Sequence, residues 1–486
     1  MQQKQINEME YILEPPDGGW GYMIAIGMCV MLACHTILSQ NFGIIFLEIL
    51  NDSQDSISAI VVINSLFGIF SSVVGLITNK VLTDYPPRGV GIIGSFIYCS
   101  GSFLNIYVGN IYQLGFTYGC LQGIGFGLMN PVIFANITYY FTKKRGMINS
   151  LCLAIISAIA FMFPMIIQQM KSYYGQFGTM MVLAALSLHT MVAMILMQPV
   201  EWHLVKRLRY ENEAIQKPFT DNEDITVNAG SSIVTPLPTP RNTKIFNVNK
   251  DETRIQNQIF QKTLDIKIQQ YRESQLSLWR KISKTLDISI LKEIRVSIVI
   301  VGLAATVVAD VTFVCCVPLF LYHHSFDISQ IALILSVSTI GDFVSRILQL
   351  LFNVFFKIKH RYCVMFGILM TTIIRYILAF TNNLTVVQIL LSSIGFFRSW
   401  IHVALPLAIA EQCIPSRFPA AFGLLMIIMC VFYMVIGSAI VFAIKSLKND
   451  AFIVGLLASI TGFVCLVWII EMIYTKRKFR RSSDLR

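Results

Sequence analysis

Long apolar segments alternate with short polar connections along most of the chain. Twelve segments are mainly apolar over about 18 residues or more, so each can cross a hydrocarbon core of about 30 Å as a helix. Their approximate limits are 19–43, 57–79, 90–109, 112–140, 147–169, 177–198, 296–322, 328–356, 362–381, 384–411, 419–444 and 451–474. Six segments, a long polar gap and six more predict an all-α membrane protein of twelve transmembrane helices in two six-helix bundles.

The polar stretches suggest five regions. We expect a cytosolic N-terminus, a first six-helix bundle, a cytosolic linker, a second six-helix bundle and a basic cytosolic tail, at residues 1–18, 19–199, 200–294, 295–474 and 475–486. The linker contains the Pro- and Thr-rich stretch "TPLPTPRNTK", which favours disorder. Its end, "LWRKISKTLDISILKEIRV", is compatible either with an amphipathic helix on the inner leaflet or with an unstructured segment.

Lys and Arg predict the orientation, because cytoplasmic connections retain them. The connections expected inside carry most of the basic side chains, namely Lys80, Arg88, Lys143 to Arg145, Lys357, Lys359, Arg361, Arg417 and the tail from Lys476 to Arg486. The first 14 residues are polar and mixed in charge, unlike a cleavable signal peptide. We therefore expect both termini in the cytoplasm and the sequon at Asn51 outside, where it is a candidate for glycosylation.

Composition agrees with a membrane protein, since 55% of the residues are hydrophobic and only 13% are charged. The net charge of +11 lies in clusters beside the apolar segments, which indicates anionic lipid rather than nucleic acid as the partner. The 11 cysteines have irregular spacings, typical of neither a metal site nor a disulfide framework. No nucleotide-binding motif or catalytic constellation is present, so we expect no cofactor and no enzyme activity.

The two six-segment halves repeat one another in register. Helices 2–3 and 8–9 share a Gly, an Arg 20 residues later and a second Gly six residues after it, at Gly68, Arg88 and Gly94 and at Gly341, Arg361 and Gly367. Likewise, Arg145 precedes helix 5 and Arg417 precedes helix 11. A duplication with parallel halves is typical of transporters.

Several motifs point to one family. "PPDGGWGYMIAIG" in helix 1 and "YYFTKKRGMINSLCLA" before helix 5 resemble the two signature motifs of the monocarboxylate transporter family of the major facilitator superfamily. "NPVIFA", "GDFVSR" and "CIPSRFPAAFGL" are similar too. The resemblance implies transport of a small organic anion at the plasma membrane, and it allows a single-span escort glycoprotein. Proton-coupled relatives carry a Lys late in helix 1, where this chain has Gln40.

A charged side chain near the middle of the membrane costs free energy, so its presence indicates a structural or functional role. Four such side chains lie in the second half of the sequence. Asp342 and Arg346 share one face of helix 8 at i and i+4. They are either a neutralised pair, or Arg346 binds a substrate carboxylate with its planar fork while Asp342 releases it. Asp310 and Arg398 can pair across helices 7 and 10, as a structural bridge or as substrate contacts. Arg375 lies nearer the outer end of helix 9, where it can snorkel to the surface.

The first half contributes uncharged candidates. His35, midway along helix 1, is either a buried hydrogen-bonding residue or a proton carrier. Gln40 with its neighbour Asn41, and Asn149 on helix 5, are candidates for contact with a solute.

The entrance of helix 1 and that of helix 5 are candidate moving parts. Asp17 can cap the first turn of helix 1, Gly18 and Gly19 allow close backbone approach, and Trp20 suits the membrane interface. This segment is either an anchor or a hinge. Lys144 and Arg145 determine topology or form a salt-bridge gate.

The sequence is compatible with three functions. The leading hypothesis is a secondary transporter that moves a monocarboxylate by alternating access, with weak or no proton coupling. The second is a uniporter for a neutral or zwitterionic solute such as an amino acid, which suits Gln40. The third is a receptor or scaffold with a transporter fold.

Overall fold

The computed structural model describes residues 11–14, 16–51, 56–142, 144–208, 293–355, 360–381, 383–412, 418–447 and 450–483. Most of the predicted linker, with its Pro- and Thr-rich stretch and nearly all of its amphipathic segment, lies outside these residues. Two short strands, β1 (Tyr11–Glu14) and β2 (Val205–Leu208), pair in a two-stranded sheet that the sequence did not predict.

The first half of the described chain consists of long helices. Helix α1 is Gly21–Gln40, and the short helices Phe42–Ile45 and Leu47–Asn51 follow it. Helices α2 (Ser56–Asp84) and α3 (Pro87–Leu104) come next, and α3 ends in a 3-10 turn, Asn105–Tyr107. Helix α4 is Gly123–Tyr140, preceded by a helical turn, Ile111–Leu114, and a π-helical segment, Gly115–Gln122.

The next element, Arg145–Ser187, bends at Gly175, whose φ of 67° is open to glycine but strained for other residues. With its continuation His189–Ile195 it spans 51 residues, about 77 Å at 1.5 Å per residue, which is far too long for one crossing. We therefore treat residues 145–174 as α5 and the part after Gly175 as α6, in agreement with the two predicted segments. A 3-10 turn, Val200–Trp202, follows.

The second half contains six further helices. These are α7 (Ile294–His323), α8 (Ile328–Phe355), α9 (His360–Leu378), α10 (Leu384–Ala410), α11 (Phe418–Leu447) and α12 (Asp450–Ser483). Eleven uninterrupted stretches of the described residues are long and apolar enough to cross a membrane. Dividing the longest at Gly175 makes the predicted count of twelve consistent with the structure.

Buried apolar side chains distinguish two ends of the helical body. At the terminal end, where α1 begins, the buried residues of each half form their own core, around Met28 and Val132 in the first half and around Ile300 and Trp468 in the second, and partly buried Leu76 of α2 packs against the second core. At the far end, where α1 and α7 end, one core contains residues of both halves, such as Phe42 and Phe320. The far end is therefore closed.

Candidate functional site

The acid and the arginine of α8 are in contact at mid-helix. Arg346 Nε donates to Asp342 Oδ2 over 2.8 Å, as the i, i+4 spacing predicts. Ser157, on α5 of the other half, donates its hydroxyl to the same Oδ2 over 2.5 Å. The other carboxylate oxygen, Asp342 Oδ1, and Arg346 Nη1 are buried without a hydrogen-bond partner among the described residues. Buried polar groups are usually hydrogen-bonded, so these two atoms are exceptions within the pair.

A second acid lies on α7 with three partners. Asp310, whose side chain is fully buried, accepts from Arg398 Nε over 2.5 Å and from His402 Nε2 over 2.7 Å, both on α10. Its other oxygen accepts from Arg375 Nη2 on α9 over 2.5 Å. The structure thus brings together Asp310 and Arg398 as the sequence suggested, and it adds Arg375 and His402.

The expectation for Arg375 was wrong. Its side chain is only 1% exposed and lies over the ring of Phe313, with Cζ 4.4 Å from the ring centroid, so it does not snorkel to the membrane surface. The bond to Asp310 holds it inside the helical body. His402 stands four residues after Arg398 and so lies on the same face of α10, which is the one local signal that could have identified it.

The two acids and their partners form one electrostatic cluster. Besides its bond to Asp310, Arg398 is near enough to Asp342 for electrostatic attraction, and His402 is near enough to Arg346 for electrostatic repulsion. We call Asp310, Asp342, Arg346, Arg375, Arg398 and His402 the charged cluster. It contains three guanidinium groups and two carboxylates, which leaves one positive charge uncompensated when His402 is neutral.

The candidates of the first half make no hydrogen bond or ion pair with this cluster among the described contacts. His35 lies among aromatic rings, 4.0 Å from the centroid of Phe126 and 5.2 Å from that of Phe67, and its Nδ1 is buried without a partner. The side-chain oxygens of Gln40, Asn41 and Asn149 are likewise buried and unpartnered among the described residues.

The end of α1 nevertheless comes close to the helix that carries Asp310. The carbonyl of Ser39, next to Gln40, accepts from the Cys315 thiol of α7 over 3.8 Å. The Asn41 amide donates to the Ile37 carbonyl over 2.8 Å and so satisfies a group at the end of the helix.

The entrance of α1 differs from its prediction. Trp20 is the N-cap residue and no side chain caps the helix, because Asp17 instead accepts from the backbone N–H and the hydroxyl of Thr142, over 2.7 and 2.8 Å. Asp17 therefore joins α1 to the connection between α4 and α5. Trp20 donates to the Leu196 carbonyl and stacks on His203, so it packs against the end of α6.

The two glycines before α1 also differ from the prediction that they allow close backbone approach. A Cβ on Gly18 would make only ordinary contacts, and one on Gly19 would meet nothing within 4 Å, so neither allows a close approach. Gly19 is required instead by its φ of 55°. Lys144 is the N-cap residue of α5, and both Lys144 and Arg145 are exposed at the terminal end.

The sequence profile of the Major Facilitator Superfamily matches residues 24–435. The chain belongs to the Major Facilitator Superfamily. Members are membrane transporters, so the expectation that the chain is a multi-pass transporter rather than an enzyme is confirmed. A mutant of the nucleoside transporter NupG superposes with a TM-score of 0.56 over 93% of this chain and 99% of its own, at 13% identity, which supports the fold.

Curated relatives carry one family name. Monocarboxylate transporter 13 of Bos taurus is 28% identical over 196 residues, which is 40% of this chain and 45% of that protein. Monocarboxylate transporter 2 of Mesocricetus auratus is 28% identical over 38% of this chain and 39% of its own. The matched region spans less than half the length of either relative. Within the superfamily, the chain is thus similar to monocarboxylate transporters.

Proposed function

We propose that this protein is a secondary transporter that moves a small organic anion, a monocarboxylate, across the plasma membrane by alternating access. The observation that carries the proposal is the single uncompensated positive charge of the charged cluster. A charge inside a membrane costs at least about 2.5 kcal/mol, so a counter-ion of one negative charge is strongly favoured there.

The chemistry of the cluster suits a carboxylate. Guanidinium presents parallel N–H donors that match two carboxylate oxygens, and Arg346 Nη1 is a buried donor without a partner among the described residues. A monoanion would satisfy both the donors and the charge. The similarity to proteins named monocarboxylate transporters supports the same class.

The Lys and Arg distribution supports cytoplasmic termini, which would make the terminal end cytoplasmic. With that orientation, the shared core at the far end describes an inward-facing state. Alternating access would then require Phe42 and its neighbours at the end of α1 to separate from α7. The family resemblance also supports a single-span escort glycoprotein, which co-purification from cells would test.

Coupling to protons should be weak. Gln40 replaces the Lys of proton-coupled relatives, and His35 lies among aromatic rings with no carboxylate among its described contacts. The remaining proton carrier would be Asp342, which already accepts from Arg346 and Ser157.

One observation favours the second candidate, a zwitterionic solute such as an amino acid. Asp342 Oδ1 is a buried acceptor without a partner among the described residues, and it could receive an ammonium group while an arginine receives the carboxylate. A zwitterion, however, would leave the excess charge of the cluster unchanged.

Uptake by the purified protein in vesicles tests the proposal. Radiolabelled lactate, pyruvate, ketone bodies, amino acids and amines would be offered with and without an inward proton gradient. We expect saturable uptake of a monocarboxylate and little uptake of amines. Uptake of amino acids alone would favour the second candidate, and no uptake of any solute would favour a receptor or scaffold.

A further inference from the structure

The three arginines of the charged cluster differ in how free each is to meet a solute. Arg375 is 1% exposed and is bonded to Asp310, and Arg346 has Asp342 on its own helix. Arg398 is 16% exposed and shares Asp310 with Arg375 and His402. The three arginines share two acids, and Arg398 is the most exposed of the three, ahead of Arg346 at 11%.

The exposed part of Arg398 faces the interior of the protein. On α10 the lipid-facing side is marked by Ile389, which is 61% exposed. Nine residues are two and a half turns at about 3.6 residues per turn, so Arg398 lies on the opposite face. Its interactions with Asp310 on α7 and Asp342 on α8 agree with this position.

Resting on the proposed function, we propose that Arg398 binds the substrate carboxylate beside Arg346, and that Asp310 occupies the Arg398 guanidinium until the substrate arrives. The Asp310 carboxylate is then an internal stand-in for the substrate. When a substrate carboxylate takes over the guanidinium, Asp310 keeps its bonds to Arg375 and His402.

The geometry makes this exchange inexpensive. A buried carboxylate that lost its only cation would be strongly destabilised, whereas Asp310 retains a fully buried arginine and a histidine. His402 Nε2 lies 2.7 Å from the same Oδ2 that Arg398 contacts, so this oxygen keeps a hydrogen-bond donor after the exchange. After the exchange there are at least as many charge-assisted bonds as before it, because the substrate replaces the one bond that Arg398 made to Asp310.

Lactate uptake into vesicles gives the first test. Arg398→Gln removes the cation, and we expect KM to rise about 10- to 100-fold, the effect of losing charge-assisted hydrogen bonds. Arg398→Lys keeps the charge without the planar fork, so KM should rise less while Vmax stays near that of the wild type. An unchanged KM in Arg398→Lys with a lowered Vmax would overturn the proposal.

The double substitution Asp310→Asn with Arg375→Gln gives a sharper test, because it removes one acid and one base together. Without the stand-in, no carboxylate is hydrogen-bonded to Arg398 among the described contacts, and we expect KM several-fold below that of the wild type. Adding Arg398→Gln to this background should raise KM about 10- to 100-fold again. If Arg398 served only as a partner for Asp310, this third substitution would leave KM unchanged.

The wild type separates failure of this inference from failure of the proposed function. No lactate or other monocarboxylate uptake by the wild type would refute the function and, with it, the role of Arg398. Normal uptake by the wild type with an unchanged KM in Arg398→Gln would refute the role of Arg398 alone. Thermal unfolding of each purified variant verifies that it is folded, and Arg398→Lys carries the test if the double variant is not.

Discussion

Ser157 and Asp342 join the two halves of the protein at the level of the charged cluster, since the Ser157 hydroxyl on α5 lies 2.5 Å from Asp342 Oδ2 on α8. The acid thus contacts an arginine of its own helix and a hydroxyl of the opposite half. Any movement that separates α5 from α8 at this level breaks the bond. The state of Asp342 is therefore linked to the relative position of the halves.

Ser157→Ala is expected to weaken the state closed at the far end. Loss of a hydrogen bond to a charged group costs about 1.5–3 kcal/mol, enough to shift a two-state population about 10-fold or more. We expect faster labelling of Cys315, which is 2% exposed in the shared core, by a membrane-impermeant maleimide. Ser150→Ala, on the same helix, is the matched control, and equal labelling rates in both variants would contradict the prediction.

The contact between α2 and α11 gives a second prediction about closure. A Cβ on Gly68 would overlap the ring of Tyr433 in the other half, so Gly68→Ala forces the ring or the helices to move. Overpacking costs about 1–3 kcal/mol, and we expect a lower Vmax with faster Cys315 labelling. Gly89→Ala is the control, because its Cβ would meet nothing within 4 Å.

The same contact permits a rescue experiment. Tyr433→Ala creates the space that Gly68→Ala needs, so the double variant should regain much of the Vmax lost by the single variant. Purely additive losses from the two substitutions would mean that the ring of Tyr433 does not limit the approach of α2 and α11.

The role of Arg346 is tested by comparing two substitutions. If Arg346 also binds the substrate, Arg346→Lys should lose much of the uptake, because the bidentate fork is lost although the charge is kept. Arg346→Ala should lose nearly all of it and leave Asp342 without its arginine. Normal surface expression with unchanged uptake in both variants would mean that the residue is structural.

Two features of the sequence predicted part of the site: the spacing of charged residues along a helix and the free-energy cost of burying charge. The i, i+4 rule identified Asp342 with Arg346, and the cost of mid-membrane charge identified Asp310 with Arg398. Arg375 was missed because position along a helix does not reveal which face it occupies. Its bond to Asp310 depends on the packing of α9 against α7, which no local pattern contains.

In the helices, too, features set by local sequence were predicted and long-range contacts were not. The two apolar segments on either side of Gly175 predicted a break that the backbone makes there. The sequence did not predict that Asp17 would bind Thr142, because this contact joins residues 125 positions apart. Capping is a local rule, and here a long-range bond takes its place.

The last prediction concerns coupling and rests on Gln40. Proton-coupled relatives carry a Lys at this position, whereas this chain has an amide whose oxygen has no partner among the described residues. Without that lysine, binding a proton adds little to the binding free energy of the substrate. We expect uptake to change less than about tenfold between external pH 6 and 8, since tenfold corresponds to about 1.4 kcal/mol and to one well-coupled group.

Gln40→Lys tests this reasoning directly, because it adds a cation beside Ser39, whose carbonyl contacts α7 at Cys315, five residues after Asp310. We expect a steeper pH dependence of uptake in this variant, and Gln40→Met, similar in size and uncharged, is the control. A steep rise of wild-type uptake at acid pH that Asp342→Asn abolishes would instead mean that the chain couples protons without the lysine. In that case Asp342, already bonded to both halves, would carry the proton, and the identity of residue 40 would not determine coupling.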